Sequence, residues 1–136
     1  MNERIPPQDV DTEIACLASA LLSRDALYKV TEILQPEDFY IERHRVIFEA
    51  ILELERKNRP TDLTTLKQRL VDIDMYDKIG GDVQLVELYR AVSTSANAEH
   101  YARRIKEMSL RRRLIEVSQD VVEKCYDRSI ETEELL

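Results

Sequence analysis

Apolar residues recur along most of the chain at steps of three and four positions, the spacing of one face of an α-helix. Near the start, two adjacent prolines are followed by Asp9, which is well suited to cap a first helix. Ser23 is placed to cap a second helix from about Asp25 to Leu34, and Pro36 ends it. The pattern therefore predicts two helices before the chain turns.

The next segment, ILQPEDFYIERHRVIFEAI at 33–51, combines acids, aromatics and a histidine, as catalytic sites often do. Pro36, Glu37 and Asp38 fit the first turn of a short helical corner. Beyond the corner, steps of four and three predict one buried face of a third helix, formed by Tyr40, His44, Ile47, Ile51 and Leu54.

His44 lies on that inward stripe, so we expect a core or boundary histidine bonded to a neighbouring carbonyl or acid. Two alternatives stay open: His44 could be a titrating switch or ligand, or it could form a hydrolytic site with Glu37 and Asp38. No other histidine or cysteine lies nearby in the sequence to support either alternative.

The middle of the chain predicts two shorter helices. Thr61 or Asp62 can cap the first. The only two glycines, Gly80 and Gly81, suit a tight connection with positive φ. Asp82 is expected to cap the second helix, whose apolar positions are Val83, Leu85, Val86, Leu88 and Tyr89.

A long helix is predicted from about Asn97 to Tyr126, and its apolar face changes direction. In the first half the apolar residues are Tyr101, Ile105 and Met108. In the second half they are Leu110, Leu114, Val117, Val121 and Cys125, on nearly the opposite side of the helical wheel, with Ile115 and Val122 on the flank. One straight helix cannot lay both faces on the same bundle.

We therefore expect an all-α fold with a compact orthogonal helical bundle at residues 1–96 and a long protruding helix at 97–136. That helix would be the first arm of a helical hairpin, whose truncated second arm begins with Thr132 as its cap. The exposed seam of Leu110, Leu114, Val117 and Val121 needs a partner. Self-association, as an isologous dimer, is expected.

The long helix also carries the chain's only basic cluster, and these residues ring the helix on the helical wheel. A basic strip that binds the phosphates of a nucleic acid would lie on one side of the helix. We therefore first interpret these residues as a solvated collar, a ring of charged side chains in water that keeps the protruding helix soluble. Binding of an acidic partner or of DNA is the alternative. The cluster consists of Arg103, Arg104, Lys106, Arg111, Arg112 and Arg113.

Composition narrows the function classes. A formal charge of −7 argues against attraction of the whole surface to DNA or anionic lipid. The sequence contains no stretch apolar enough to span a membrane. It also lacks a phosphate-binding glycine loop, metal-ligand spacing and a nucleophile motif, so we predict no catalytic, cofactor-binding or metal site. Cys16 and Cys125 are expected to be small core residues of a soluble cytoplasmic protein.

Six segments in order resemble the N-terminal domain of bacterial DnaB-type replicative DNA helicases. The matches are RIPPQDVDTE at 4–13, PEDFY at 36–40, HRVIFEAI at 44–51, RPTDLTTL at 59–66, IGG at 79–81 and SANAEHYARRIKEMSLRRRLI at 95–115. Each motif is weak alone, but their order and spacing are specific and cover essentially the whole chain. The chain departs from the family at Gln84, where an aromatic is usual, and at Ser93 or Thr94, where proline is usual.

The resemblance implies an intact protein that forms a hexameric ring, as a trimer of dimers, and unwinds DNA 5′ to 3′ at the replication fork. ATP and Mg²⁺ would bind a separate motor domain, which would also contact the DNA. The N-terminal collar would pair through its hairpins, bind DnaG primase and influence a helicase loader. Asp11, Ile115 and Val122 are then candidates for a primase-facing surface.

Two other readings remain beside the collar domain. One is an accessory nucleic-acid-binding helical module, against which the acidity and the ring-like spread of arginines weigh. The other is the helicase-binding domain of a primase, which resembles the same fold. The PPQ start and the PEDFY motif favour the helicase.

Overall fold

The computed structural model describes residues 4–136, and every regular element in that range is a helix. The all-α prediction is confirmed. In chain order the elements are α1 (Val10–Leu22), α2 (Arg24–Ile33), a 3₁₀ turn (Pro36–Asp38), α3 (Glu42–Arg56), α4 (Leu63–Asp72), α5 (Gly81–Ala91), α6 (Ala98–Tyr126) and α7 (Thr132–Leu135).

Side-chain caps start three of the helices where the sequence predicts them. The carboxylate of Asp9 accepts the Thr12 N–H at 3.1 Å, and the hydroxyl of Ser23 accepts the Ala26 N–H at 3.0 Å. Asp62 caps α4 in the same way. These bonds satisfy N–H groups that the helix itself leaves without partners.

Two predicted caps are wrong by one or two residues. Asp82 lies in the first turn of α5, and Gly80 occupies the cap position with φ of 110°. Thr132 is the first residue of α7, which Glu131 precedes as a cap without a side-chain bond. In the first case the left-handed backbone at Gly80 already turns the chain into the helix, so a carboxylate cap is not needed.

The core is centred on α1, which contacts α2, α3, α5 and α6. Leu17 of α1, Leu27 of α2 and Ile51 of α3 are completely buried. The rings of Phe39 and Phe48 pack with centroids 5.1 Å apart, joining the 3₁₀ corner to α3. The corner is therefore part of the core.

Two predictions about apolar positions are wrong. Val83, Val86 and Tyr89 are exposed, because α5 packs through the line of Gln84 and Leu88. Cys125 is exposed rather than a core residue, since its part of α6 extends away from the bundle, whereas Cys16 is buried as expected.

A buried carboxylate, Glu13, joins α1 to the start of α3. Its Oε2 accepts the Tyr40 N–H at 2.7 Å, and its Oε1 accepts the Ile41 N–H at 3.3 Å. His44 Nδ1 lies 2.8 Å from the same Oε1, and both side chains are almost completely buried. Glu13 thus satisfies free N–H groups at the α3 terminus, and the expectation of a core histidine bonded to an acid is confirmed.

The tautomer of His44 follows from these contacts. Glu13 already accepts two backbone N–H groups, so Nδ1 must carry the proton that it donates to Oε1. Nε2 is buried and has no hydrogen-bond partner among the described residues.

A second buried carboxylate, Asp38, joins the 3₁₀ corner to α6. It accepts the Gln35 N–H at 2.8 Å, the Ser109 hydroxyl at 2.7 Å and the Lys106 ammonium at 3.2 Å. Arg113 Nη2 lies 3.1 Å from Oδ1. Burial raises the pKa of Asp38, but the donated bonds and the nearby ammonium outweigh it, so this pKa lies below its ordinary value.

Replacing Glu13 by Gln is expected to lower the free energy of unfolding by about 2–4 kcal/mol. The amide NH₂ of Gln would take the place of one carboxylate oxygen and leave a buried N–H group without its acceptor. Urea unfolding followed by circular dichroism measures the change. Glu32→Gln, an exposed glutamate on α2, is the matched control and should change stability by less than about 0.5 kcal/mol. Equal stability of the two variants would contradict the bridging role of Glu13.

Replacing Asp38 by Asn is expected to lower the free energy of unfolding by about 2–4 kcal/mol near neutral pH. The folded-state pKa of Asp38 is lowered, so the unfolded chain binds the proton more readily in acid. The stability that this carboxylate contributes is present above about pH 4 and lost as the pH falls through the folded pKa.

The difference between the parent chain and Asp38→Asn should therefore shrink on acidification below about pH 4. Urea unfolding over a pH series measures it, with the exposed Asp72→Asn as control. A difference that stays constant down to low pH would rule out the proposed anchoring of α6 by an ionised Asp38.

Candidate interaction surface on the long helix

The two halves of α6 have different surroundings. Ala102, Ile105, Met108 and Ser109 are buried against the bundle. After Ser109 the side chains are exposed, apart from the half-buried Arg112. The change falls where the sequence pattern reverses its apolar face.

The four predicted seam residues lie on the exposed half. Their exposed fractions are 46% for Leu110, 67% for Leu114, 61% for Val117 and 45% for Val121. From 110 to 121 they extend over about 16 Å of helix at 1.5 Å per residue. Large apolar side chains exposed in one continuous row are typical of a protein-binding surface.

Basic side chains fix the direction of this half. Arg112 donates from Nη1 to the Pro7 carbonyl and from Nη2 to the Asp38 carbonyl, both at 2.7 Å. Arg104 pairs with Asp9 at 3.2 Å. Together with Lys106 and Arg113 on Asp38, these bonds hold α6 against the N-terminal segment and the corner.

Four of the six basic residues contact other elements of the chain. The predicted solvated collar is wrong for Lys106 and Arg112, which are half-buried, whereas Arg104 and Arg113 stay exposed beside their partners. Arg103 and Arg111 are exposed as well, in pairs with Glu99 and Glu107 one turn earlier on α6. These contacts also weaken the case for nucleic-acid binding, because four of the cationic side chains are already engaged.

The three candidate primase-facing residues lie in different places. Asp11 is exposed on α1 and borders a cavity of about 560 Å³ beside α5. Ile115 borders a different groove, of about 600 Å³, between α6, the corner and the N-terminal segment. Val122 is exposed two turns further along α6 than Ile115. The structure does not bring Asp11 and Ile115 to one cavity.

The acids and the histidine of the opening motif belong to separate networks. Asp38 binds α6, His44 binds Glu13, and Glu37 is exposed. They do not form the acid–histidine pair of a hydrolytic site. Within residues 4–136, no group of three or more acidic, histidine or cysteine side chains could hold a metal ion. No helix in this range is long and apolar enough to span a membrane.

Sequence reasoning missed the roles of Asp38 and Arg112 as anchors of α6. A partial signal was available in the spacing of Gln35 and Asp38, because the Asp38 carboxylate accepts the Gln35 N–H three residues earlier and closes the 3₁₀ turn. That spacing places the Asp38 carboxylate at the turn, but it carries no information about a partner seventy residues later in the chain.

Comparison with known proteins gives consistent results. Residues 5–107 match the sequence profile of the DnaB-like helicase N terminal domain. The chain is 37% identical over 136 residues to the replicative DNA helicase DnaC of Bacillus subtilis. It is 42% identical over 135 residues to the replicative DNA helicase DnaB of Geobacillus stearothermophilus. The first match covers all of this chain and the second covers 99% of it, and in both cases the chain spans only 30% of the length of the relative.

Solved structures agree with the sequence comparisons. The N-terminal domain of DnaB helicase from Mycobacterium tuberculosis superposes with a TM-score of 0.91 at 37% identity, over 96% of this chain and 92% of that one. The N-terminal domain of DnaB helicase from Helicobacter pylori, described with its interactions with primase, superposes with a TM-score of 0.73 at 26% identity. This match covers 85% of this chain and 90% of that one. The chain therefore belongs to the family of DnaB-like helicase N-terminal domains, as the order of its motifs predicted.

Proposed function

We propose that this chain is the collar and interaction domain of a replicative DNA helicase, and that residues 110–121 of α6 carry its self-association. The exposed row of Leu110, Leu114, Val117 and Val121 is the observation that supports the proposal most directly. ATP hydrolysis with Mg²⁺, DNA contact and 5′ to 3′ unwinding belong to a motor domain outside this range. The cytoplasm, at the replication fork, is the corresponding location.

In this proposal the chain works in two parts. Residues 1–96 form a body for partner contacts, and residues 97–136 form an arm for pairing. The bonds that Ser109 and Arg112 of α6 donate to Asp38 support it, because a fixed arm loses less conformational entropy on association than a mobile one. Pairing of two arms would be isologous, and three such dimers would complete a hexameric collar.

Primase docking is the second part of the proposed role. The Helicobacter pylori relative is described with its interactions with primase, and Asp11, Ile115 and Val122 are exposed here. We assign the docking of DnaG primase to the face that carries Ile115 and Val122, with Asp11 at a separate cavity as a second contact. A helicase loader is a further partner of the same collar.

Replacing Val117 by Asp is expected to weaken self-association at least about tenfold, because pairing would bury an unpaired carboxylate. Sedimentation equilibrium at high micromolar concentration measures the dissociation constant. Gln119→Asp, which places the same side chain on another exposed face of α6, is the control and should dimerise like the parent. A parent chain that remains strictly monomeric, or a Val117→Asp chain that pairs equally well, would refute the seam.

Replacing Ile115 by Asp is expected to weaken binding of the C-terminal region of the same organism's primase by at least about tenfold while leaving self-association unchanged. Isothermal titration calorimetry measures the affinity. Val83→Asp, on the exposed side of α5, is the matched control for a new surface carboxylate. Unchanged primase affinity of Ile115→Asp would remove this face from the docking proposal.

A further inference from the structure

The groove beside Ile115 has both apolar and cationic walls. It occupies about 600 Å³ between the N-terminal segment, the 3₁₀ corner and α6. This volume is in the range of sites that hold a small ligand or a few side chains. The apolar lining includes Ile5, Tyr40 and Ile115. Three arginines also line the groove: the exposed Arg4 and two half-buried guanidinium groups, Arg45 and Arg112. We refer to it as the arginine groove.

Both guanidinium groups are held in place by neutral acceptors. Arg45 donates from Nε to the Phe39 carbonyl at 2.9 Å and from Nη2 to the Tyr40 carbonyl at 3.0 Å. Arg112 donates to the Pro7 and Asp38 carbonyls and lies 5.4 Å from the centroid of the Tyr40 ring. Within residues 4–136, neither forms an ion pair with a carboxylate. Each therefore keeps N–H donors free for a ligand.

The two positive charges lie close enough to influence each other. Burial lowers the pKa of Arg112, and the charge of Arg45 lowers it further, while the carboxylates of Glu13 and Asp38 oppose the change. Arginine nevertheless stays charged at neutral pH. Glu13 and Asp38 act on Arg112 more strongly than Arg45 does. An anion in the groove would therefore be favoured by charge-assisted bonds from the N–H donors that both arginines leave free.

The surroundings of the groove favour a peptide over nucleic acid. Glu37 and Glu116 line its exposed side and would repel a continuous row of phosphates. The apolar walls, in contrast, suit an aliphatic or aromatic side chain next to the anion. A single carboxylate between two guanidiniums, followed by an apolar residue, matches both features of the site.

We propose that the arginine groove binds a peptide segment of a partner protein, with an Asp or Glu side chain between Arg45 and Arg112 and a neighbouring apolar side chain against Tyr40 and Ile115. The inference deepens the docking role proposed above and rests on it for the partner's identity, because Ile115 borders the groove. It does not depend on self-association, since the seam is on another face of α6.

The first test identifies the ligand chemistry. A displayed library of random short peptides is selected on the immobilised parent chain, and enriched sequences are synthesised for fluorescence anisotropy. Enriched peptides should carry Asp or Glu beside an apolar residue. Converting that acid to its amide, or Arg45 to Gln in the protein, should weaken binding at least about tenfold. No enrichment, or equal binding of acid and amide peptides, would overturn the proposal.

A matched pair of mild variants keeps the test independent of folding. Glu116 and Glu123 are both exposed on α6, but only Glu116 lines the groove. Glu116→Gln should tighten binding of the selected acidic peptide by about two- to fivefold, since it removes a repelling charge at the rim. Glu123→Gln should leave it unchanged. The same effect from both variants would assign the binding to net charge and contradict the groove.

Failure of this inference can be told apart from failure of the docking role. If acidic peptides do not bind but Ile115→Asp still weakens primase binding, the groove proposal falls and the docking role stands. If acidic peptides bind through Arg45 and primase affinity is insensitive to Ile115→Asp, the docking role falls. In that case the arginine groove serves another partner of the same chemistry.

Discussion

The carboxylate of Asp38 receives bonds from its own turn and from α6, and it is the polar contact on which the long helix converges from three of its side chains. A buried carboxylate is stable only when several donors surround it, so Lys106, Ser109 and Arg113 must all face the corner. Together with the buried Ala102, Ile105 and Met108, this requirement sets the rotation of α6 about its axis. Rotation of the first half then decides where every side chain of the second half points.

Two surfaces follow from that rotation. The row from Leu110 to Val121 faces away from the bundle, whereas Arg112 and Ile115 face the corner and the N-terminal segment. A helix that serves as both an arm and a groove wall can offer different partners separate sites. Because Arg112 binds the main-chain carbonyl of Asp38, the groove and the anchor are also mechanically linked.

Glu13 plays a comparable role on the other side of the corner. It accepts the N–H groups of Tyr40 and Ile41 and bonds to His44, which fixes the start of α3 relative to α1. The PEDFY segment is therefore held by two buried carboxylates. Its own Asp38 bonds to α6, and Glu13 of α1 bonds to the Tyr40 N–H and to the start of α3. Residues that resemble a catalytic constellation in the sequence are structural supports, because buried charge is used to join helices.

Local chemistry along the chain was sufficient to predict the helices, the caps at Asp9, Ser23 and Asp62, the inward position of His44 and the reversal of the apolar face in α6. Each depends on neighbours within a turn or two, so spacing alone carries the signal. The partners of Glu13, Asp38 and Arg112 were decided only by tertiary structure. These partners lie far away in the sequence. A charged residue on a predicted helix is expected to be exposed to solvent, and only the packing of the folded chain shows that it is buried. For the same reason the sequence identified the basic cluster on α6 but not the role of each member. Only the folded chain shows which of these side chains anchor the helix to the bundle, which form exposed ion pairs and which line the groove.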